Sequence, residues 1–378
     1  MSSPLQTPST KPRARALGLN LPGTTGPHNA ITDVPGITVG FCNIDQAGDS
    51  PGQPKIQTGV TAIHPQGNTD SPAYLWAGQH TLNGNGEMTG CQWIHDAGYF
   101  MGPICITNTH AVGTVHQASL RWMIEHYPDF FHSEHRFAMP VVAETFDGIL
   151  NDINGLHVKE EHAFEALNSA QPGSVAEGNT GGGNGMITYE FKGGTGTSSR
   201  EIIVEDKTYT LGVFVQSNFG AREDLTVLGV PVGQHLTDDK IYQKAAVQEL
   251  GSIIVIIATD APLIPSQLTR IAKRATLGLG RTGTIGGHSS GDIFLAFTTA
   301  NAWEPGKQTA PIMAMDVLGE HCLNDFYRAA RDATEESIIN AMVAGETSVA
   351  FRPEGAVVKA IDQDALMDLI KPSVKDNG

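Results

Sequence analysis

The chain has 378 residues, 40% of them hydrophobic and only 17% charged, against a usual charged share of about 25%; this excludes a disordered chain and leaves length for one large domain or two. Its 24 basic and 40 acidic residues give a formal charge of −16, which repels phosphate backbones and anionic bilayers and argues against nucleic-acid and membrane partners. No apolar run approaches the roughly 18 residues of a spanning helix and no secretion signal opens the chain, so a cytoplasmic protein is expected.

Residues 1–27 are rich in Ser, Thr and Pro, and carry Lys11, Arg13 and Arg15 with no acid before Asp33. Organelle transit peptides share that bias, but without an amphipathic stretch the segment reads as a disordered tail. The folded part, residues 28–378, is expected as a single domain. It opens with Ile31–Gly40, where β-branched residues flank a Pro-Gly turn. From Gly59 to Thr109, runs such as Val60–Ile63 and Ile104–Ile106 alternate with Gly/Asn loops such as Asn83–Gly86, the pattern of strands and turns. Leu120, Met123 and Ile124 have helical spacing, bounded by Pro128. Glu201–Val215 reads as a hairpin turning near Asp206, with Tyr209, Leu211, Val213 and Val215 at period two. A polar stretch, His235–Glu249, breaks off at Gly251, and Ser252–Ile257 follows as a β-branched run fitting a strand buried on both faces. Leu268, Ile271, Ala272 and Ala275 mark a helix opened by Pro265 and closed by Gly278; Ile293–Thr299 reads as a strand and Cys322–Ala344 as a long helix. Strands and helices mix without a βαβ repeat, so layered α+β is expected over a doubly wound sheet.

Several motifs carry less than they suggest. Gly287-His-Ser-Ser-Gly291 matches G-x-S-x-G with Ser289 as nominal nucleophile, but the loop precedes a strand where a nucleophile elbow needs a helix. His157 and His162 are five apart, on different helix faces, whereas zinc ligands on one helix stand four apart. His126, His132 and His135 read as loop histidines, and Cys42, Cys91, Cys105 and Cys322 lie far apart with no C-x-x-C pair, so no metal site is signalled and the cysteines read as reduced thiols. The loop Gly181–Gly185 precedes Met186–Tyr189 and not a helix whose amino end could hold a phosphate, so it reads as a tight turn or close packing.

The junction Gly251-Ser252 joins a polar stretch, a permissive glycine and a hydroxyl residue at the head of a buried strand. On spacing alone it is a turn into the core. Chemically, it could undergo an N-to-O acyl shift that leaves Ser252 as a new amino terminus. The free α-amine, with an ordinary pKa of roughly 7.7–8.0, could then deprotonate its own hydroxyl.

Here the sequence resembles the DmpA/BapA family of self-processing N-terminal-nucleophile aminopeptidases, which includes L-aminopeptidase/D-amidase-esterases and β-aminopeptidases. The likeness rests on Arg13–Gly18, Ala30–Gly36, Leu82–Gly90, Ile106–His110, Val142–Phe146, Phe191–Gly196, Gln216–Gly220 and Gly251–Leu263, and covers nearly the whole chain from about residue 13. It implies an αββα sandwich of the DmpA/ornithine-acetyltransferase-like type, cleaved before Ser252 into chains 1–251 and 252–378. It also implies homotetramers of such αβ units, no metal or organic cofactor, and substrates that are short peptides, amides or esters with a free amino terminus. By matched position, Ser252 is the nucleophile and Asn218 donates to the oxyanion. Ser290 and Asp292 orient the Ser252 amine and hydroxyl, and Glu144 accepts the substrate's amine. Two residues depart from the family pattern: Asp292 stands where Glu is common, one methylene shorter, and Phe146 stands where Tyr is common, without its hydroxyl beside the pocket. The alternatives are an acyltransferase of the ornithine-acetyltransferase-like type, whose nucleophile is typically Thr, and a non-enzymatic binding protein keeping the fold.

Overall fold

The computed structural model describes residues 4–48, 55–67, 69–133, 136–245, 251–305 and 311–375. Strands β1 (Thr38–Gln46), β2 (Ile56–His64), β5 (Ile104–Asn108) and β6 (Val141–Thr145) form one sheet, in the order β1-β2-β5-β6. A second sheet, ordered β4-β3-β12-β11-β10-β9, holds β3 (Tyr74–Gly84), β4 (Tyr99–Met101), β9 (Gly194–Val204), β10 (Lys207–Asn218), β11 (Ser252–Thr259) and β12 (Gly291–Thr298). Two short ribbons complete the strands: β7 (Ile187–Thr188) with β8 (Phe191–Lys192), and β13 (Ser348–Val349) with β14 (Val357–Val358). Helices α2 (Val112–His126) and α4 (Glu160–Asn168) cover the outer face of the four-stranded sheet; α6 (Pro265–Arg281) and α7 (Leu323–Val343) cover that of the six-stranded one. Shorter helices α1 (Cys91–Ala97), α3 (Pro128–Ser133) and α5 (Ile241–Ala245) lie in connections, and α8 (Gln363–Lys375) follows the second ribbon.

The result is an αββα sandwich, and the sequence shows why β11 is its centre. Ile254, Ile256 and Ala258 point into the core between the sheets, against Ile106, Val141 and Ala143. Ile253, Val255 and Ile257 point the other way, into the core shared with α6 and α7. A strand buried on both faces needs apolar residues at every position, which is what a continuous β-branched run supplies; each such side chain contributes roughly 1.5–3 kcal/mol of burial.

Three local expectations need correction. Helix α2 forms, but its buried face is Val115, Ala118, Ser119, Trp122 and Met123, while Ile124 is exposed, because the sheet lies under the i, i+3, i+4 row starting at Val115. Gly278 does not close α6; the helix runs on to Arg281, and a Cβ at Gly278 would stand 2.6 Å from the Arg331 carbonyl oxygen, so this glycine lets α7 approach closely. The amino-terminal segment, expected as a tail through residue 27, is seated along the body from Pro4 onward. Arg13 is buried and makes a two-pronged ion pair with buried Glu177, at 2.7 and 3.0 Å, and also donates to the carbonyls of Asn29 and Thr197. Arg15 and Arg200 share Glu336 at 2.8 and 2.6 Å. Basic residues that read as a solvated bias are partners of carboxylates more than a hundred residues away.

The hairpin turns between Val204 and Lys207 as expected, and Leu211, Val213 and Val215 lie in the core. Gly181–Gly185 is a buried turn packed against Thr195 and Gln216, in keeping with the close-packing reading. His157 precedes α4 and bonds Asp152, His162 caps the first turn of α4, and His126 stacks on Trp122. His135 and residues 246–250 lie outside the described residues. No helix among the described residues is long and apolar enough to cross a membrane.

Candidate active site

Both sheets end together at a cavity of about 280 Å³ walled by Asn85, Gly86, Glu87, Thr109, Glu144, Phe146, Gly251, Ser252 and Ser289. A larger apolar groove of about 340 Å³, with Trp93, Tyr99 and Phe137 among its walls, contains neither a carboxylate nor a hydroxyl nucleophile apart from tyrosines. The hydroxyl of Ser252 beside the buried carboxylate of Glu144 singles out the first cavity.

Ser252 opens β11, paired with Asn218 at the end of β10 and with Gly291 at the start of β12. Alternation along β11 puts its side chain on the same face as Ile254 and Ile256, toward the other sheet. The hydroxyl donates to the Gly251 carbonyl oxygen at 2.8 Å, and the Gly291 amide donates to the same oxygen at 3.2 Å. The carbonyl before Ser252 thus already carries two donors, one of them the hydroxyl able to attack it. Gly291 is required here, since a Cβ would stand 2.4 Å from the Asn85 carbonyl oxygen.

Asn218 is oriented by two bonds: its Oδ1 accepts from the Ile187 amide at 2.8 Å and its Nδ2 donates to the Phe146 carbonyl at 2.8 Å. One N–H of the amide is left beyond these. Ser290 Oγ donates to Asp292 Oδ1 at 2.6 Å, and Asn83 Nδ2 donates to Asp292 Oδ2 at 3.1 Å and also reaches the Gly287 carbonyl. Asp292 is paired with Ile253 across β12 and β11, and the Ile253 amide is among its hydrogen-bond donors. It sits in the alternation with Phe294 and Ala296, so it approaches Ser252 from the backbone side and not from the hydroxyl side. Burial raises its carboxyl above the ordinary range, with the Ser290, Asn83 and Ile253 bonds opposing.

From the four-stranded sheet, Glu144 near the end of β6 is 2% exposed. Its Oε1 accepts from the Glu87 amide at 3.0 Å and its Oε2 from the Thr109 hydroxyl. Burial raises this carboxyl too, against the pull of those bonds and of His110. The Glu87 amide is in place because the segment that follows it runs along β6, bridging Met88 to Ala143. Phe146 lines the cavity with its ring over Gly148.

The structure brings together Ser252, Gly251, Glu144 and Phe146 as cavity walls, with Asn218, Ser290 and Asp292 one step behind. Ser289 also lines the cavity, on the loop that the Asn85 side chain holds through the Ser289 carbonyl. Thr109, Asn83, Asn85 and the Glu87 amide carry no role in the sequence reading. They stand inside Leu82–Gly90 and Ile106–His110, the segments that carry the family resemblance, but only tertiary contact shows what each one holds. Among the described residues no three His, Cys, Asp or Glu side chains group so as to hold a metal.

Residues 29–354 match peptidase family S58. The chain is 45% identical over 350 residues to β-peptidyl aminopeptidase BapA of Sphingosinicella microcystinivorans, covering 89% of this chain and 86% of that protein. It is 42% identical over 375 residues to BapA of Sphingosinicella xenopeptidilytica, covering 95% and 91%. Among solved structures, the L-aminopeptidase D-Ala-esterase/amidase of Ochrobactrum anthropi, a serine aminopeptidase with a variant of the Ntn hydrolase fold, superposes with a TM-score of 0.92 at 48% identity, over 96% of this chain and 99% of that one. A Burkholderia sp. β-aminopeptidase superposes with a TM-score of 0.85 at 44% identity, over 95% and 98%.

Proposed function

The chain belongs to peptidase family S58, and from that premise we propose that it is a self-processing serine aminopeptidase and amidase-esterase that releases amino-terminal residues through an acyl-enzyme on Ser252. The observation that carries the reading is the Ser252 hydroxyl, 2.8 Å from the carbonyl oxygen of its own preceding peptide and on the wall of a cavity that also holds the buried carboxylate of Glu144.

In maturation, Ser252 Oγ attacks the Gly251 carbonyl carbon while the Gly291 amide holds the developing oxyanion. The C–N bond breaks, the nitrogen takes a proton, and water hydrolyses the resulting ester to a Gly251 carboxylate and a free Ser252 amine. In turnover, that amine takes the hydroxyl proton as Oγ attacks the substrate carbonyl. Asn218 turns its remaining N–H to the oxyanion, and the Ser252 ammonium returns the proton to the leaving group. Asp292, held by Ser290 and Asn83, lies on the backbone side of Ser252, which suits it to orient the amine. Glu144 takes the substrate's own ammonium as a charge-assisted pair, limiting attack to the first residue. The reading includes assembly into tetramers of αβ units, as the family resemblance implies, and a cytoplasmic location, as the sequence reading expects.

Mass spectrometry of the purified protein tests the central step. The wild type gives a fragment of about 13.5 kDa, the mass of residues 252–378 as their share of the 40.2 kDa chain. Ser252→Ala gives one uncut chain and no turnover. A Ser252→Ala protein that still separates into two chains, or a wild type that turns over substrate uncut, refutes the assignment.

A further inference from the structure

The segment that leads into the Gly251-Ser252 junction is fastened to the body by a buried arginine that the reaction above does not use. Arg222 is 1% exposed, and its guanidinium lies on the Phe191 ring, with Cζ 3.3 Å from the ring centre. It donates to backbone carbonyls of two separate segments. Nε and Nη2 reach Tyr189 and Glu190 at 2.7 and 2.8 Å, and Nη1 reaches Leu236 and Asp238 at 2.8 and 3.1 Å. Tyr189 and Glu190 are the two central residues of the turn joining β7 to β8, with φ of 50° and 61°, a conformation that such turns usually give to Asn and Gly. The buried Glu190 carboxylate joins the same two segments: Oε1 accepts from the Arg222 amide at 3.2 Å and Oε2 from the Tyr242 amide of α5 at 2.9 Å. Ile241 and Tyr242 are buried against Ile187 and Val358.

We propose that Arg222 and Glu190 are positioning residues for self-cleavage: they clamp residues 236–242, the near end of the arm that carries Gly251, onto the β7–β8 turn, and so set where the peptide to be cut meets the Ser252 hydroxyl. The proposal rests on the self-processing reading given above. The junction is then fixed from both sides. Beyond it, Ser252 is paired into β11 and the Gly291 amide holds the Gly251 carbonyl; before it, the clamp holds the arm at Tyr242. An acyl shift needs the attacking oxygen and the carbonyl carbon held in attack geometry, and a misplacement of about 1 Å can cost roughly 10²-fold. The planar guanidinium, with donors in a fixed fork, suits carbonyls from two segments at once, which a lysine ammonium on its flexible stem does not. Once the peptide is cut, Ser252 is no longer joined to the arm, and the clamp ceases to act on it.

Glu190→Gln keeps the size of the side chain but sets an NH₂ donor against one of the two amides, while the Arg222 guanidinium still holds the turn whose Ile187 amide orients Asn218. Cell-free synthesis of the full chain, sampled over time on a denaturing gel, gives the rate at which the 252–378 fragment appears. In Glu190→Gln this rate is expected to fall about tenfold, while kcat/KM per mole of cut chain stays within about threefold of wild type. A fall in the cutting rate below about threefold overturns the proposal, and so does an equal fall in cutting and in turnover per cut chain, which a merely structural role would give. Limited trypsin digestion of Ser252→Ala reads the clamp by itself, since Lys240 and Lys244 lie on the arm. Adding Glu190→Gln or Arg222→Lys is expected to speed cutting after these two lysines about tenfold without speeding it elsewhere. Unchanged cutting, or faster cutting throughout the chain, overturns the proposal. A wild type that never separates into two chains counts against the self-processing reading instead, and the trypsin comparison stands apart from that outcome.

Discussion

Replacing Glu144 by Gln removes the charge that the substrate's ammonium meets and leaves the fold able to adapt. A carboxylate offers about four lone-pair positions; the Glu87 amide and the Thr109 hydroxyl occupy one on each oxygen, leaving one on each for the amine. In Glu144→Gln the amide oxygen keeps the Glu87 donor, and the Thr109 hydroxyl rotates to accept from the new NH₂ group, so the variant folds. The substrate then loses one charge-assisted bond, worth about 1.5–3 kcal/mol, or roughly 10- to 150-fold in kcat/KM. The assay compares two amides that differ only in whether the α-amine is present. The free-amine substrate suffers the full loss, and the des-amino substrate, already poor with wild type, changes little. Because burial holds Glu144 above the ordinary carboxylate range, wild-type kcat/KM on the free-amine substrate falls further as pH drops through that raised value, and Glu144→Gln keeps only the limb that belongs to protonation of the Ser252 amine. Equal losses on both substrates would show a structural carboxylate, and no loss on either would remove Glu144 from amine recognition.

Asn218→Ala is expected to lower kcat by about 10²–10³ with little change in KM, measured on the fraction shown folded by circular dichroism; an unchanged kcat in that fraction takes the oxyanion away from Asn218. Arg13→Met leaves Glu177 as an unpaired charge buried between Thr197 and the amino-terminal segment, so denaturant unfolding should show a loss of about 3–5 kcal/mol. A loss below about 1 kcal/mol, the scale of an exposed pair, would mean that residues 4–27 are not seated on the body.

Much of this protein is legible without coordinates. The run Ser252–Ile257 fits a strand buried on both faces, because β-branched residues favour the extended backbone and an unbroken apolar run suits an element with no solvent face, and the hairpin of β9 and β10 was visible in its period of two. The pairing of a permissive glycine with a hydroxyl residue at the head of that strand pointed to self-cleavage chemistry, and resemblance to a family drew in Glu144, Asn218, Ser290 and Asp292. What stayed hidden were facts about which distant segments touch. Nothing in the order of residues says that Thr109 and the Glu87 amide share Glu144, that Asn83 holds Asp292, or that Arg13 finds Glu177 inside the body. Likewise, Gly278 looked like the end of a helix until α7 was seen pressing on it. Local sequence dictates backbone periodicity, since that depends on neighbours along the chain; the state of a carboxylate depends on which donors and how little water the folded chain places around it, and only the packing of two sheets against each other determines that.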